Sequence, residues 1–218
     1  MASLEKLKSG PNFIVYQSGE QKLIKIENIR FSYPHFGHKR VDEGDDGNTK
    51  ESWGGVAMLP KATHVAAKDA FMELVNELQT ANKVKIPPEY RCIKNGDDKD
   101  DELMHGHWLI SFSDSKVRPA IRDQKAGLMT DMDAIDEKFY GGCWGSVLLR
   151  PWYFNGTAKS SKKTFPKRIC SGFTGAQFLK DDKPFGNGRI DDSDAWGDES
   201  KGGNDGMDSD ADDDNDGL

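Results

Sequence analysis

The sequence predicts a mainly β fold with one principal helix, an OB-fold-like barrel plus a disordered acidic tail. Three observations carry that expectation. Short apolar and aromatic runs of strand character recur between Lys22 and Lys180. A single stretch, Ala67–Leu78, has helical spacing. After Lys183 the composition turns to Gly, Asp and Ser, which cannot bury enough apolar surface to fold.

Taken in order, "KLIKIENIRFSY", Lys22–Tyr33, is rich in Ile and aromatics and reads as a strand that Pro34 ends. The polar "HKRVDEGDDGNTKES" reads as a long loop, with "WGGVAMLP", Trp53–Pro60, pairing across it as a second strand. Thr63 is a candidate N-cap for the helix. Its residues Ala67, Phe71, Leu74, Val75 and Leu78 form one apolar stripe, and it stops near Asn82. "IPPEYRCIKNGDDKDDELMHG" reads as irregular and acidic. "HWLISFSDS" is a strand centred on Trp108–Phe112. "KVRPAIRD" is extended by Pro119, and "DMDAIDEKF" is a short helix or a turn. "YGGCWGSVLLRPWYF", Tyr140–Phe154, is the longest strand candidate, its glycines implying a bend. "SGFTGAQFLK", Ser171–Lys180, pairs with it as a hairpin across "NGTAKSSKK". Six or seven short strands with one helix bridging two sheet halves fit a small OB-fold-like barrel, though the pattern leaves other β-rich folds open. Residues 1–186 are expected to form that domain and residues 187–218 the disordered tail.

The 218 residues carry a net charge of −7, spread unevenly. From Asp191 onward, twelve acidic residues and one lysine give −11, which leaves +4 on the first 190. A basic body with an acidic tail points to polyanion binding. The three cysteines have no CxxC spacing and read as reduced, with neither disulfide framework nor zinc site. The first thirteen residues lack the apolar core of a secretory leader, and no run approaches the roughly 18 apolar residues of a membrane span.

Alternation along Tyr140–Phe154 puts Cys143, Val147, Leu149 and Tyr153 on one face, expected in the core. The other face holds Trp144, Ser146, Leu148, Arg150, Trp152 and Phe154. Rings in line with a guanidinium suit a single nucleic-acid strand, because every base offers a π-face and every phosphate a charge. Arg118 and Arg122 share a face of "KVRPAIRD" with Lys116 in step, and Lys159, Lys162, Lys163, Lys167 and Arg168 crowd the following turn. Such cations track a backbone without reading bases.

Catalysis finds little support. His35, His38, His64, His105 and His107 are scattered, with His105 and His107 set on one strand face but no third ligand at matching spacing. Asp131-x-Asp133 is a common accident, and no phosphate loop or nucleophile elbow is present. Asp212, Asp214, Asp216 and Gly217 match only the opening of a calcium loop, without its closing glutamate. No catalytic residue, metal ligand or cofactor is expected.

"IRFSYPHFG", "GVAMLPKA" leading into the helix, "VRPAIRD", "FYGGCWGSVLLRPWYFN" and "GFTGAQFLKDDKPFG" follow one another in the order of a known family. Over roughly Leu23–Gly186 the chain resembles the single-stranded DNA-binding proteins of tailed phages. The runs that carry the likeness include Arg118, Pro119 and Asp123, then Tyr140, Gly142, Cys143 and Trp144. The resemblance implies an OB-fold core and a flexible acidic tail. It also implies coating of unpaired DNA during phage replication and recombination in the cytoplasm of the bacterial host. The tail would contact replication proteins such as a polymerase or helicase, with no membrane partner; a homodimer is left open. The residues expected on the DNA-binding face are Arg30, Tyr33, Arg118, Arg122, Arg150, Trp152, Lys162, Lys163 and Lys167. The tail is expected to compete with DNA for that face. A strand-annealing recombination mediator, a metal-dependent nuclease and a protein-binding module with a DNA-like tail are the alternatives.

Overall fold

The computed structural model describes residues 3–43, 49–157 and 164–185. Its strands are β1 Glu5–Gly10, β2 Phe13–Ser18, β3 Gln21–Glu43, β4 Thr49–Pro60, β5 Ile93–Asn95, β6 His107–Asp114, β7 Ala120–Arg122, β8 Trp144–Phe154 and β9 Arg168–Lys180. Two α-helices accompany them, α1 Val65–Ala81 and α2 Met132–Lys138. The strands form one mixed sheet in the order β5-β6-β4-β3-β8-β9-β7, with β2 and β1 added beside the first part of β3. By strand pairing the sheet is open. Its β5 end meets β9, one strand in from the other end, where the Cys92 N–H donates to Ile169 O at 2.9 Å and Arg91 bridges Ile169 in parallel. The mainly β class with one long helix holds. Among the described residues, no helix is long and apolar enough to cross a membrane.

The largest departure from the sequence reading is β3. Pro34 does not end it: the strand runs for 23 residues. It pairs β2 through Gln21–Ile26, β8 through Ile24–Arg30 and β4 through Arg30–Glu43. Of the segment read as a loop, the described residues 38–43 and 49–52 are strand and pair β3 with β4, with register shifts between Ser32 and His35 and between His35 and Arg40. These shifts answer a packing demand. Ile29 and Phe31 are buried on one phase of the strand, and Phe36 on the other. Strict period-two alternation would turn Phe36 to solvent, so an inserted residue must flip the phase. Tyr33 absorbs that flip with a left-handed backbone, φ +49°.

Phe36 is the hub of the core. Its ring centroid lies 5.1 Å from Phe31, 5.1 Å from Phe139, 4.8 Å from Phe173 and 6.0 Å from Phe112. Offset and edge-on contacts of this kind add about 0.5–1.5 kcal/mol per pair beyond area burial. The apolar stripe of α1 closes the core, with Ala67, Phe71, Leu74 and Val75 buried. Thr63 is not its cap. His64 holds the N-cap position, without a side-chain cap bond. His64 is buried, 2.8 Å from Thr63 Oγ1 through Nδ1 and 2.8 Å from Glu27 O through Nε2. A carbonyl only accepts, so Nε2 carries the proton and Nδ1 accepts from the threonine. Asp131 caps α2 by accepting from the backbone of Asp133 and Ala134, a structural use for the Asp131-x-Asp133 pair. His105 lies outside β6, so it shares no strand with His107. The strands β1 and β2 had no counterpart in the sequence reading.

Gly37 sits where β3 meets α2, and a Cβ built there falls 2.1 Å from Met132 O. Backbone cannot yield as a side-chain tip can. Gly37→Ala is therefore expected to destabilise the fold by about 1–3 kcal/mol. A urea midpoint unchanged from the parent chain refutes that account of the β3–α2 contact.

Candidate nucleic-acid interface

The bulge in β3 shapes the surface as well as the core. With Phe31 and Phe36 turned inward, Tyr33 stands outward and is 61% exposed. A bulky residue with φ above zero is a backbone outlier, costing of order 1–3 kcal/mol, and such outliers gather at functional sites. The ring borders a cleft of about 490 Å³ between the β3–β4 hairpin, β6, β9 and the segment Glu89–Cys92. Tyr33 and Tyr90 are its exposed aromatic rings; Arg40, Lys50, Arg91 and Arg168 are its cations. Two carboxylates share the lining. Asp42 pairs with Arg40 at 2.7 Å, and Glu89 lies beside Tyr90 in sequence. Arg91 also frames the cleft, donating from Nε and NH2 to Ile86 O at 2.9 and 2.7 Å.

The sequence reading named Tyr33 here but missed Tyr90, Arg91, Arg40 and Lys50. "PPEYRC" carried no strand pattern, and its Tyr-Arg pair reaches the cleft only because Cys92 closes the sheet against β9. Of the remaining expected residues, Arg150 and Trp152 lie together on β8 in a second groove against the end of α1. Arg122 donates to Ala126 O at 2.9 Å and lines a third groove with Tyr16 and Lys25. Arg118 is exposed and donates to Thr130 O at 3.1 Å. Lys167 borders a shallow hollow with Ile86 and Tyr90. Lys162 and Lys163 lie outside the described residues.

Arg30 and Trp144 are committed elsewhere. Arg30 donates to Gly142 O at 2.9 Å and Lys183 O at 2.7 Å, and its guanidinium lies 4.4 Å from the Phe185 ring centroid. Trp144 Nε1 donates to Asp182 Oδ2 at 2.6 Å. Tyr140 Oη donates to Asp182 O at 2.8 Å, and the Phe185 N–H donates to Gly141 O at 2.8 Å. The Tyr140–Trp144 run is thus a clamp on residues 181–185. The Trp144 indole and the Lys183 N–H, with Arg30 and Lys180 adding charge, hold the Asp182 carboxyl below the ordinary carboxylate range. Phe185 and Tyr33 line one groove, so the clamped segment ends beside the cleft. Burial pushes the thiols of Cys92 and Cys143 up to about 12, as suits free cysteines held as thiols.

A strongly bent β sheet with a ring-bordered basic cleft defines the class: a β protein shaped to hold an extended polyanion. A family model described as "Enterobacter phage Enc34, ssDNA-binding protein" matches residues 22–207, and the chain belongs to that family. Among solved structures it is 33% identical to the single-stranded DNA-binding protein from bacteriophage Enc34, with a TM-score of 0.71 over 88% of this chain and 98% of that one. It is 32% identical to the same phage protein in complex with ssDNA, with a TM-score of 0.72 over 84% and 98%. The single-stranded DNA-binding protein gp2.5 of bacteriophage T7 shares the fold at 12% identity, with a TM-score of 0.50 over 82% and 96%. No curated protein matches.

The bulge that presents Tyr33 is fastened by Asp136 of α2, which accepts from the Gly37 N–H at 2.8 Å and the His38 N–H at 2.9 Å. Its Oδ2 also lies 2.9 Å from His38 Nδ1. Burial alone would raise this carboxyl, but the two backbone donors and the His38 ring outweigh it and hold it below the ordinary range. A carboxyl depressed by folding contributes fully above its unfolded pKa and loses that contribution as pH falls through the folded value. Acidification below the usual carboxylate range is therefore expected to speed amide exchange at Gly37 and His38 ahead of the core. Asp136→Asn, which leaves one of the two N–H groups facing an amide donor, should do so at neutral pH at a cost of about 1–3 kcal/mol. Exchange at these two amides that follows the core at every pH refutes the fastening role.

Proposed function

We propose that this chain is a sequence-tolerant single-stranded DNA-binding protein that coats and protects unpaired DNA during phage replication and recombination in the host cytoplasm. The observation that carries the reading is Tyr33, a ring held outward on a strained backbone at the lip of a cleft bearing four cations. Bases stack on Tyr33 and Tyr90, while Arg40, Lys50, Arg91 and Arg168 receive phosphates. Stacking is indifferent to base identity, and backbone cations carry no sequence information, so the pairing yields affinity without readout. Membership of a family whose solved member was captured with ssDNA supports the same reading.

The acidic tail competes with DNA and offers itself to replication proteins such as a polymerase or helicase once DNA displaces it. Two observations support this: Phe185, the last described residue, lines a groove with Tyr33, and the residues from Asp191 onward carry a charge of −11. A tether of this kind gives an effective concentration of order millimolar, enough for a weak ionic contact to compete. Salt weakens both contacts, tail and DNA alike.

Tyr33→Gly separates binding from folding. It removes the left-handed strain and the ring together. Folding stability is expected to hold or rise, while affinity for oligo-dT falls by about 1–3 kcal/mol. Unchanged affinity in the folded variant removes the cleft from the reading. Truncation after Arg189 is expected to tighten DNA binding, most clearly at low salt. Weaker binding by the truncated chain, measured by anisotropy at two salt concentrations, reverses the role given to the tail.

A further inference from the structure

We infer that the outer face of the β8–β9 ladder is a second binding segment for the same DNA strand, continuous with the cleft and used only by strands long enough to leave it. The inference rests on the reading of the cleft given above.

Register makes the argument. Three directly opposed pairs, Arg150↔Gly172, Trp152↔Cys170 and Phe154↔Arg168, fall in consecutive outward rows of the antiparallel ladder. Directly opposed residues share a face, so these side chains form one surface. The alternate residues Pro151, Ile169 and Ser171 are buried beneath it. Two members of the surface, Cys170 and Arg168, line the cleft along with Ile169 and Ser171, so among the described residues this stretch of β9 is common to both. Beyond them the surface carries two rings, Phe154 and Trp152, and then the cation Arg150. The Arg168 guanidinium lies 5.1 Å from the Phe154 centroid, and Phe154 stands 6.2 Å from Trp152 in an edge-on arrangement. Trp152 is 40% exposed, although a ring of its size could bury far more. Gly172 has no side chain, and a Cβ there would meet the Arg150 guanidinium at 3.4 Å. The glycine therefore leaves room for Arg150 to lie over β9. Past Trp152 and Arg150 the surface opens into a groove of about 550 Å³ with Lys22 on its wall.

The occupant this chemistry fits is a single-stranded polynucleotide. A peptide adding as a strand would need unpaired backbone, and here the β8–β9 ladder is paired from Arg150 to Phe154. A duplex would hide its π-faces from Trp152. The wall is not wholly basic: Glu20 and Glu77 face the same groove, Glu77 pairing with Lys22 at 2.7 Å. This end of the track therefore contributes mainly by stacking, with Arg150 as the main cation.

Two oligo-dT strands decide the matter with the full-length chain: one of about 5 nucleotides and one of about 16, near the ends of the range for one small barrel. Trp152→Ala is expected to weaken the long strand by roughly 5- to 150-fold, one stacked base, and the short strand by less than about twofold. Trp152→Phe should keep most of the affinity, and Arg150→Gln should weaken only the long strand and flatten its salt dependence. Tyr33→Gly should weaken both lengths. Equal losses at both lengths, or none at either, in Trp152→Ala with native circular dichroism overturn the second segment. Failure of the parent chain to bind either strand overturns the cleft itself, a different outcome.

Discussion

The requirement that Phe31 and Phe36 both reach the core shapes this molecule. They lie five apart on one strand, so they cannot share a face of a regular strand. Burying both is worth several kcal/mol, since loss of one such ring costs about 3–5. One strained residue costs about 1–3. The core therefore wins and the backbone breaks step at Tyr33. The break falls within the pairing of β3 with β4, as the register shift between Ser32 and His35. The exposed ring at the cleft is a by-product of packing that function can use.

Much of the architecture was legible in the sequence because it rests on local period. The helix stripe, the alternation from Cys143 to Phe154 and the β8–β9 hairpin all follow from residues whose neighbours are set within the segment. The β3 hairpin was not legible. Its charged, Gly-bearing arm has loop composition, and it is strand because α2 fastens it through Asp136 and because β4 pairs with it. Nor did "EKLKSG" announce β1: all six residues are exposed, and only pairing with β2 makes them a strand.

The candidate site divides along the same line. Arg150 and Trp152 could be proposed from the sequence because rings and cations at period two are visible one strand at a time. Tyr90 and Arg91 were hidden because they meet the cleft through the closure of the sheet, a contact between residues far apart in the chain. Arg30 shows the converse. Its charge and position beside Tyr33 suit a phosphate contact, but the carbonyls of Gly142 and Lys183 claim its guanidinium. The Tyr140–Trp144 motif, which carried the family resemblance, acts as a clamp on the chain leading to the tail.

Charge balance sets how firmly the proposed cleft would hold a strand. Arg40 is neutralised by Asp42, Arg91 is tied to Ile86 O, and Glu89 adds a second negative charge. A phosphate arriving at Arg40 must share a guanidinium with a carboxylate and loses part of the Coulomb gain. Exposed ion pairs are worth only about 0–1 kcal/mol, so the carboxylate does not block the phosphate either. Counterion release then supplies a modest, salt-sensitive affinity, and stacking supplies the remainder without regard to sequence. A cleft with the same rings and unopposed cations would hold a strand more tightly and release it less readily.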